Sequence, residues 1–497
     1  MRVVPAVIWR STTRLIAGNR LFTAALVPAL ALRVAAELGY RWQSWFNDSF
    51  SYVRAAVTLT PNTTRPSGYP LYLWLLSPAH SYLLVTASQH LMGLLVAVMI
   101  YALARYRFGA PAWVAVLATL PALYDGFEIQ LEHLVMADTL FLFLAMAAVT
   151  VVLWPPLPTW RACLAAGLLL GVSAVVRPTG LPLLAVLAVW LLVRLAPDWR
   201  RVLTGVVAGT LAFAVPVLGY QAWYSSAHGE FAMTDSTGVF LYSRVMTFAD
   251  CSRMSLPSDL LPLCTAVPPA RRPIAQAYIW APASPLNRYA EPMFSPATDK
   301  RAERFAIAAI EAQPLDYARA VWDDTVRSLE WNRSVFPDAQ TYDAYRFSPQ
   351  PLAVPAAPYK GYQSAAAYYA RGNPQTVVVN PFAAVIRDYQ RYVWLPGTVY
   401  GLILLAGLLG SARRRRAGVS RRAVLLPWLC SLALVVVPAA TAEFDYRYVT
   451  TAVPFACLAA AMAFGSAGLA RRGPGRGPDG RLADPRHDQR NLTADAT

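Results

Sequence analysis

Lysine is almost missing from this chain of 497 residues. It stands only at positions 300 and 360, so arginine carries nearly all of the net charge of +16. Charge of either sign is scarce, since Asp, Glu, Lys and Arg make up 14% of the residues against 56% hydrophobic ones. That balance argues against an ordinary soluble protein and puts the membrane class first. No Walker loop, dinucleotide glycine motif or Gly-x-Ser-x-Gly stands in the chain, so soluble nucleotide chemistry has no support. The five histidines, His80, His90, His133, His228 and His487, show no ligand spacing, and no metal site is assigned from them. The five cysteines lack metal-type spacing as well. Cys163, Cys430 and Cys457 lie in apolar runs and read as packing residues.

What is present is a succession of apolar runs, each near the ~20 residues that cross a bilayer as a helix. They lie at about 21–38, 82–104, 111–124, 132–154, 161–176, 180–195, 202–221, 394–412, 423–441 and 448–469. The expected fold is therefore an all-α polytopic membrane protein of about ten transmembrane helices, because lipid leaves backbone groups no other partner. Interfacial helices and a large extracytoplasmic loop complete it. The division is a transmembrane core at 1–221 with a first external loop at 39–81, a partly helical loop domain at 222–393, a second set of helices at 394–470, and a disordered tail at 471–497.

Arginine fixes the sidedness. The N-terminus, Arg105 and Arg107, Arg161, the 194–201 turn, the 413–422 turn and the tail fall on one side and hold essentially all of the net +16. By the positive-inside rule these segments, and both termini, are cytoplasmic. The basic balance needs no nucleic-acid partner. Cys251 and Cys264 then share an external loop, where a disulfide between them is permitted. Pro61, Pro66, Gly68 and Pro70 break 49–81 into interfacial helices at Ser49–Leu59 and Leu71–Leu76. In the long loop, 298–313 and 316–330 read as a helical hairpin, with Asp316 capping its second helix.

Charged groups at the ends of spans need a reason. Asp48 follows the first span, in Asn47-Asp48-Ser49-Phe50-Ser51-Tyr52, and reads equally as a helix cap or as a base. Arg65-Pro66-Ser67-Gly68-Tyr69-Pro70 comes soon after. Glu128 and Glu132 share a face if their turn is helical, and Asp138 lies deeper than a helix start explains. Paired carboxylates there suit acid–base work, metal binding or acceptor recognition. Arg177, in Arg177-Pro178-Thr179-Gly180, stands on the side that does not favour arginine. A lipid phosphate or an internal salt bridge to Asp125, Glu128 or Asp138 would explain it. Glu443-Phe444-Asp445-Tyr446-Arg447-Tyr448 opens the last span as either a binding rim or an interface belt.

Taken in order, Asp48, the Arg65–Tyr69 turn, Glu132 with Asp138, Arg177-Pro178-Thr179-Gly180 and Asp445-Tyr446-Arg447-Tyr448 resemble the GT-C class of membrane glycosyltransferases. That class includes protein O-mannosyltransferases, lipid A aminoarabinose transferases and mycobacterial arabinofuranosyltransferases. The resemblance implies transfer of a hexosyl or pentosyl group, with inversion, from a polyprenyl-phosphate donor to a glycan, lipid or protein acceptor outside a bacterial plasma membrane. It makes Asp48 the base. Arg65, Arg177 and Arg447 would hold the donor phosphate, and Glu128, Glu132, Asp138, Tyr69 and Tyr446 the acceptor or sugar. No Asp-x-Asp stands in the first loop, so a divalent metal is left without a clear motif, and no cofactor is assigned. A lipid-linked-sugar transporter, an O-antigen-ligase-type enzyme and an inactive assembly subunit remain open alternatives.

Overall fold

The computed structural model describes residues 19–355, 360–412 and 421–465, and these are mainly helical with almost no sheet. The disordered tail expected at 471–497 lies outside the described residues. Among the described residues, five helices are long and apolar enough to cross a membrane: Arg20–Gly39, Tyr82–Arg107, Pro178–Leu195, Trp199–His228 and Arg422–Thr441. A sixth span forms if Phe382–Tyr392 and Gly397–Gly410, bent by 59° at their junction, are one unit. The described parts of all ten apolar runs are largely helical, and five or six of these helices reach the length of a full span.

The physical reasons for the shortfall are local. The 111–124 run divides into Ala112–Leu117 and Leu120–Tyr124, with Pro121 opening the second piece. The 132–154 run breaks into Gly126–His133 and Asp138–Leu153, because residues 134–137 leave the helix and Leu134 pairs with Ser44. Trp160–Val176 is helical for 17 residues, and Tyr446–Ala463 begins with a charged turn. Conversely, Trp199–His228 holds 30 residues. At 1.5 Å per residue it is about 45 Å long, well beyond a ~30 Å hydrocarbon layer. Its outer face exposes Val207, Leu211, Val215 and Leu218 in helical succession, as a lipid-facing stripe does.

The first external loop forms helices Asn47–Thr58 and Gly68–Leu76, close to expectation. The long loop holds the expected hairpin as Pro296–Ala312 and Pro314–Arg327. Ser295 caps the first helix by accepting from the Thr298 N–H. Asp316 does not cap the second. Gln313 stands at that cap, and Asp316, in the first turn, pairs with Arg253 at 3.0 Å. Pro314 at the first helical position moves the start forward by two residues. The loop cysteines are joined, Cys251 to Cys264.

The long loop does not sit apart as one body. Its first part encloses a small core of its own around Val239, Tyr242, Leu263 and Phe305. Its later part packs on the transmembrane core. Val377–Val378 pairs antiparallel with Tyr40–Arg41, Tyr369 stacks on Tyr82, and Tyr345 stacks on Phe46. These late contacts roof the end of the bundle where the first loop lies.

Candidate active site

Asp48 lies in the first turn of Asn47–Thr58, where the helix dipole favours a carboxylate. Ser49 turns back to accept the Phe46 N–H at 2.9 Å, so the helix starts without using the Asp48 side chain. That carboxylate is 5% exposed and held from both sides. Arg65 reaches one oxygen at 2.7 Å, and Arg447 donates to the other at 3.0 Å. Arg447 also pairs with Asp445 at 3.0 Å. Asp445 caps the last helix by accepting the Arg447 N–H, and it accepts from the Tyr345 hydroxyl at 2.9 Å. Arg177 is paired with Asp138, so the internal salt bridge is the partner the structure gives it.

Tyr448 welds these pairs into one cluster. The Arg177 and Arg447 guanidinium groups stand 5.4 and 5.5 Å from its ring centre. Within this distance a cation is attracted to the ring face. Three arginines therefore meet three carboxylates within one charge-balanced, largely buried patch. The two arginines beside Asp48 overcome its burial and hold its carboxyl below the ordinary range. Burial dominates at Asp445 and pushes it up, despite Arg447. Tyr52, buried beside Asp48, is pushed up by burial and then by that carboxylate.

Backbone packing brings the pieces together. A Cβ on Gly68 would stand 2.6 Å from the Val175 carbonyl oxygen, so only glycine lets the Arg65 turn lie on the helix end that leads into Arg177. The same turn is tied to the long helix, with the Tyr220 hydroxyl accepting the Ser67 N–H at 3.2 Å. His228, at the end of that helix, bonds the Pro61 carbonyl at 2.8 Å.

Other sequence candidates fall elsewhere. Glu132 is fully buried and pairs with Arg33 at 2.6 Å and His90 at 2.7 Å. Tyr69 is also fully buried, its hydroxyl donating to Gln89 at 2.7 Å. Both are packing and charge partners inside the bundle. Tyr446 donates to the Ser334 carbonyl at 2.7 Å, and its ring lies under Arg333 at 5.1 Å. Glu128 shares the helix Gly126–His133 with Glu132 as expected. Burial and then Glu132 push its carboxyl well up, and one of its oxygens is without a hydrogen-bond partner.

An apolar cavity of about 700 Å³ opens between Ala112–Tyr124, the 393–406 segment and the end of the last helix. Val114, Leu117, Leu402, Ile403 and Phe464 supply its walls, with Asp125 at its edge. Its size is that of a small-molecule site. A narrow cleft shares Pro121, Asp125 and Leu395 with it and is lined by Glu128 and Arg333. Arg333 has no salt bridge among the described residues; it lies 3.8 Å from the Phe127 ring centre. Sequence reasoning missed Arg333 and Tyr345, and named Tyr52 and Tyr448 only within longer motifs. Each sits in a segment whose partner is set only by folding.

No protein-family model matches the chain, and no curated protein matches it. Solved structures similar to it include the following two. One is the S. cerevisiae protein O-mannosyltransferase complex bound to the sugar donor, at 16% identity and a TM-score of 0.35, covering 46% of this chain. The other is the Archaeoglobus fulgidus oligosaccharyltransferase in its apo form, at 13% identity and a TM-score of 0.42, covering 88% of this chain. The chain spans 36% and 50% of those two chains' own lengths.

Proposed function

We propose that the chain is a membrane glycosyltransferase that moves a sugar from a polyprenyl-phosphate donor to a hydroxyl-bearing acceptor outside the cytoplasm. The observation that carries this reading is the convergence of Asp48, Arg65, Arg447 and Asp445 into one patch from opposite ends of the chain. Asp48 would accept the proton of the acceptor hydroxyl as its oxygen bonds to the anomeric carbon. The bond from that carbon to the phosphate oxygen breaks, and the lipid phosphate leaves with the electron pair. The result is inversion at that carbon. A carboxylate held ionised by two arginines is in the correct state for this role at neutral pH.

The arginines have a second task. A guanidinium offers five N–H donors, and Arg447 spends one on a hydrogen bond to Asp48 while its Nε faces Asp445. Its remaining donors and those of Arg65 would meet the leaving phosphate. Arg177 is already neutralised by Asp138, so its part is to shape the patch rather than to bind. Arg333 is the better candidate for catching a phosphate at the cavity. It lines the cleft with Glu128 and stacks on Tyr446, the neighbour of Arg447. The apolar cavity would hold the prenyl chain, and the Tyr345 segment would cover the acceptor and exclude water.

A transporter of lipid-linked sugars is the second reading. One observation favours it: Arg33, Glu37, His90 and Glu132 lie buried between helices, as ion pathways require. Purified protein given radiolabelled polyprenyl-phosphate sugars and a membrane-extract acceptor mixture separates the two. Labelled product from wild type and none from Asp48→Asn supports transfer. Movement of the donor across proteoliposomes, without product, supports transport.

A further inference from the structure

Helices Arg20–Gly39, Tyr82–Ala102 and Gly126–His133 converge on a second group of polar side chains, away from Asp48. Its hydrogen bonds fix where the protons are. His133 Nε2 lies 2.7 Å from the Tyr40 carbonyl, which can only accept, so Nε2 carries the hydrogen. His90 Nδ1 lies 2.7 Å from the Glu132 carboxylate, which also accepts from Arg33 at 2.6 Å, so Nδ1 is the donor there. Both imidazoles, if neutral, then have a bare lone pair on the inner nitrogen. Those two nitrogens, His90 Nε2 and His133 Nδ1, face each other at 3.2 Å. Two lone pairs at that distance repel unless a cation lies against both.

Glu37 adds a third base. Its Oε1 is 3.8 Å from His90 Nε2, and both of its carboxylate oxygens are buried with no hydrogen-bond partner. The neighbouring Thr86 hydroxyl is directed at the Trp42 and Tyr82 carbonyls instead. Arg33 and Glu132 cancel each other, which leaves one uncompensated carboxylate beside two bare nitrogens. All three donor atoms lie within 4.8 Å of one another. Such a set is three Lewis bases without a Lewis acid, in a place where leaving polar atoms unpaired is costly.

We propose that Glu37, His90 and His133 bind one transition-metal ion, with zinc the best fit. Two nitrogens on a tetrahedral zinc at about 2.0–2.1 Å stand about 3.3 Å apart, which is the spacing found here within a tenth of an ångström or so. Glu132 and the Tyr40 carbonyl occupy the outer nitrogens, as partners that orient ligating histidines do. A single carboxylate and two imidazoles suit zinc better than calcium or magnesium, which take oxygen ligands. The ion's role is positional. The His133 backbone carbonyl accepts from the Ser44 N–H at 3.0 Å, four residues before Asp48, so the ion would tie the first external loop to three helices.

The test uses full-length protein in detergent, purified without chelator and with the affinity tag removed. Metal content is measured by mass spectrometry after zinc loading and dialysis, and Co²⁺ replaces zinc for visible and X-ray absorption spectra. The expected result is about one equivalent of zinc in wild type and in His228→Gln, which lies outside the group. His90→Gln and His133→Gln should each lower it at least tenfold, and Glu37→Gln severalfold. If those variants fail to fold, the wild-type Co²⁺ spectrum still decides, since two-imidazole, four-coordinate ligation is distinct from free or surface-bound cobalt. Wild type that stays below a tenth of an equivalent, or keeps its metal in both histidine variants, overturns the proposal. In the first case the cation between the rings is a proton.

Discussion

Two of the groups of buried charge among the described residues differ in what holds them. Around Asp48, three carboxylates face three arginines, and the arginines come from loop turns and helix starts. Around Glu132, two carboxylates, one arginine and two histidines come from helices, Glu37, Glu132 and His133 from last turns, and every one is buried. Arginine forks can exchange one anion for another with little loss, so the first group can re-pair with a phosphate. Imidazoles locked by a carbonyl and a carboxylate have no such freedom. Charge at the chain's turns is suited to turnover, and charge inside its helices to fixing geometry.

The harshest way to break the second group is Glu132→Ala. It leaves Arg33 buried without its carboxylate and should cost about 3–5 kcal/mol, seen as a large drop in Tm in detergent. A loss under about 1 kcal/mol would mean that the interior group is not a structural knot. Asp48→Asn should act in the opposite way. Transfer is expected to fall about 10²–10⁴-fold while Tm changes little, because the two arginines keep an oxygen to bind. A variant that loses Tm but keeps its turnover would make the two groups alike.

Smaller effects sharpen the contrast. Arg333→Gln should raise the donor KM about tenfold at nearly unchanged kcat, as loss of one phosphate contact does. Equal loss in kcat would place Arg333 with the reacting atoms instead. The most gradual effect comes from Glu443, whose carboxyl is pushed up to about 8 by burial and then by Asp445. The unfolded chain releases that proton near the ordinary carboxyl value and the folded chain retains it. Stability should therefore fall as pH rises through that window and level off above about 8, by at most about 1.4 kcal/mol per pH unit. Glu443→Gln should flatten the slope between pH 5 and about 8, measured as Tm against pH.

The partition between legible and hidden features follows the same line. Asp48, Arg65, Arg177 and Arg447 stood out because a charge next to a span needs a partner, and folding brings all four together. The hairpin and the Cys251–Cys264 link were legible because their signals are local: a proline break, helical periodicity and two cysteines in one loop. The number of full spans was not, since Pro121 and the Ser44–Leu134 pairing interrupt helices that hydropathy alone joins. His90 and His133 are 43 residues apart, a spacing that only helix packing can make meaningful. Arg33 and Glu37, one turn apart inside the first apolar run, were the overlooked signal. Glu132 needs room as well, and a Cβ on Gly93 would lie 1.8 Å from its Oε1.

The opening of the apolar cavity between helices changes what concentration means for this protein. A prenyl-phosphate donor that fills it, as proposed above, would approach in two dimensions through the surrounding lipid or micelle rather than from bulk water. Its effective level is a mole fraction of amphiphile. Extra detergent at fixed total donor should slow the reaction by surface dilution alone, and apparent constants become comparable only when the ratio of donor to detergent is held constant.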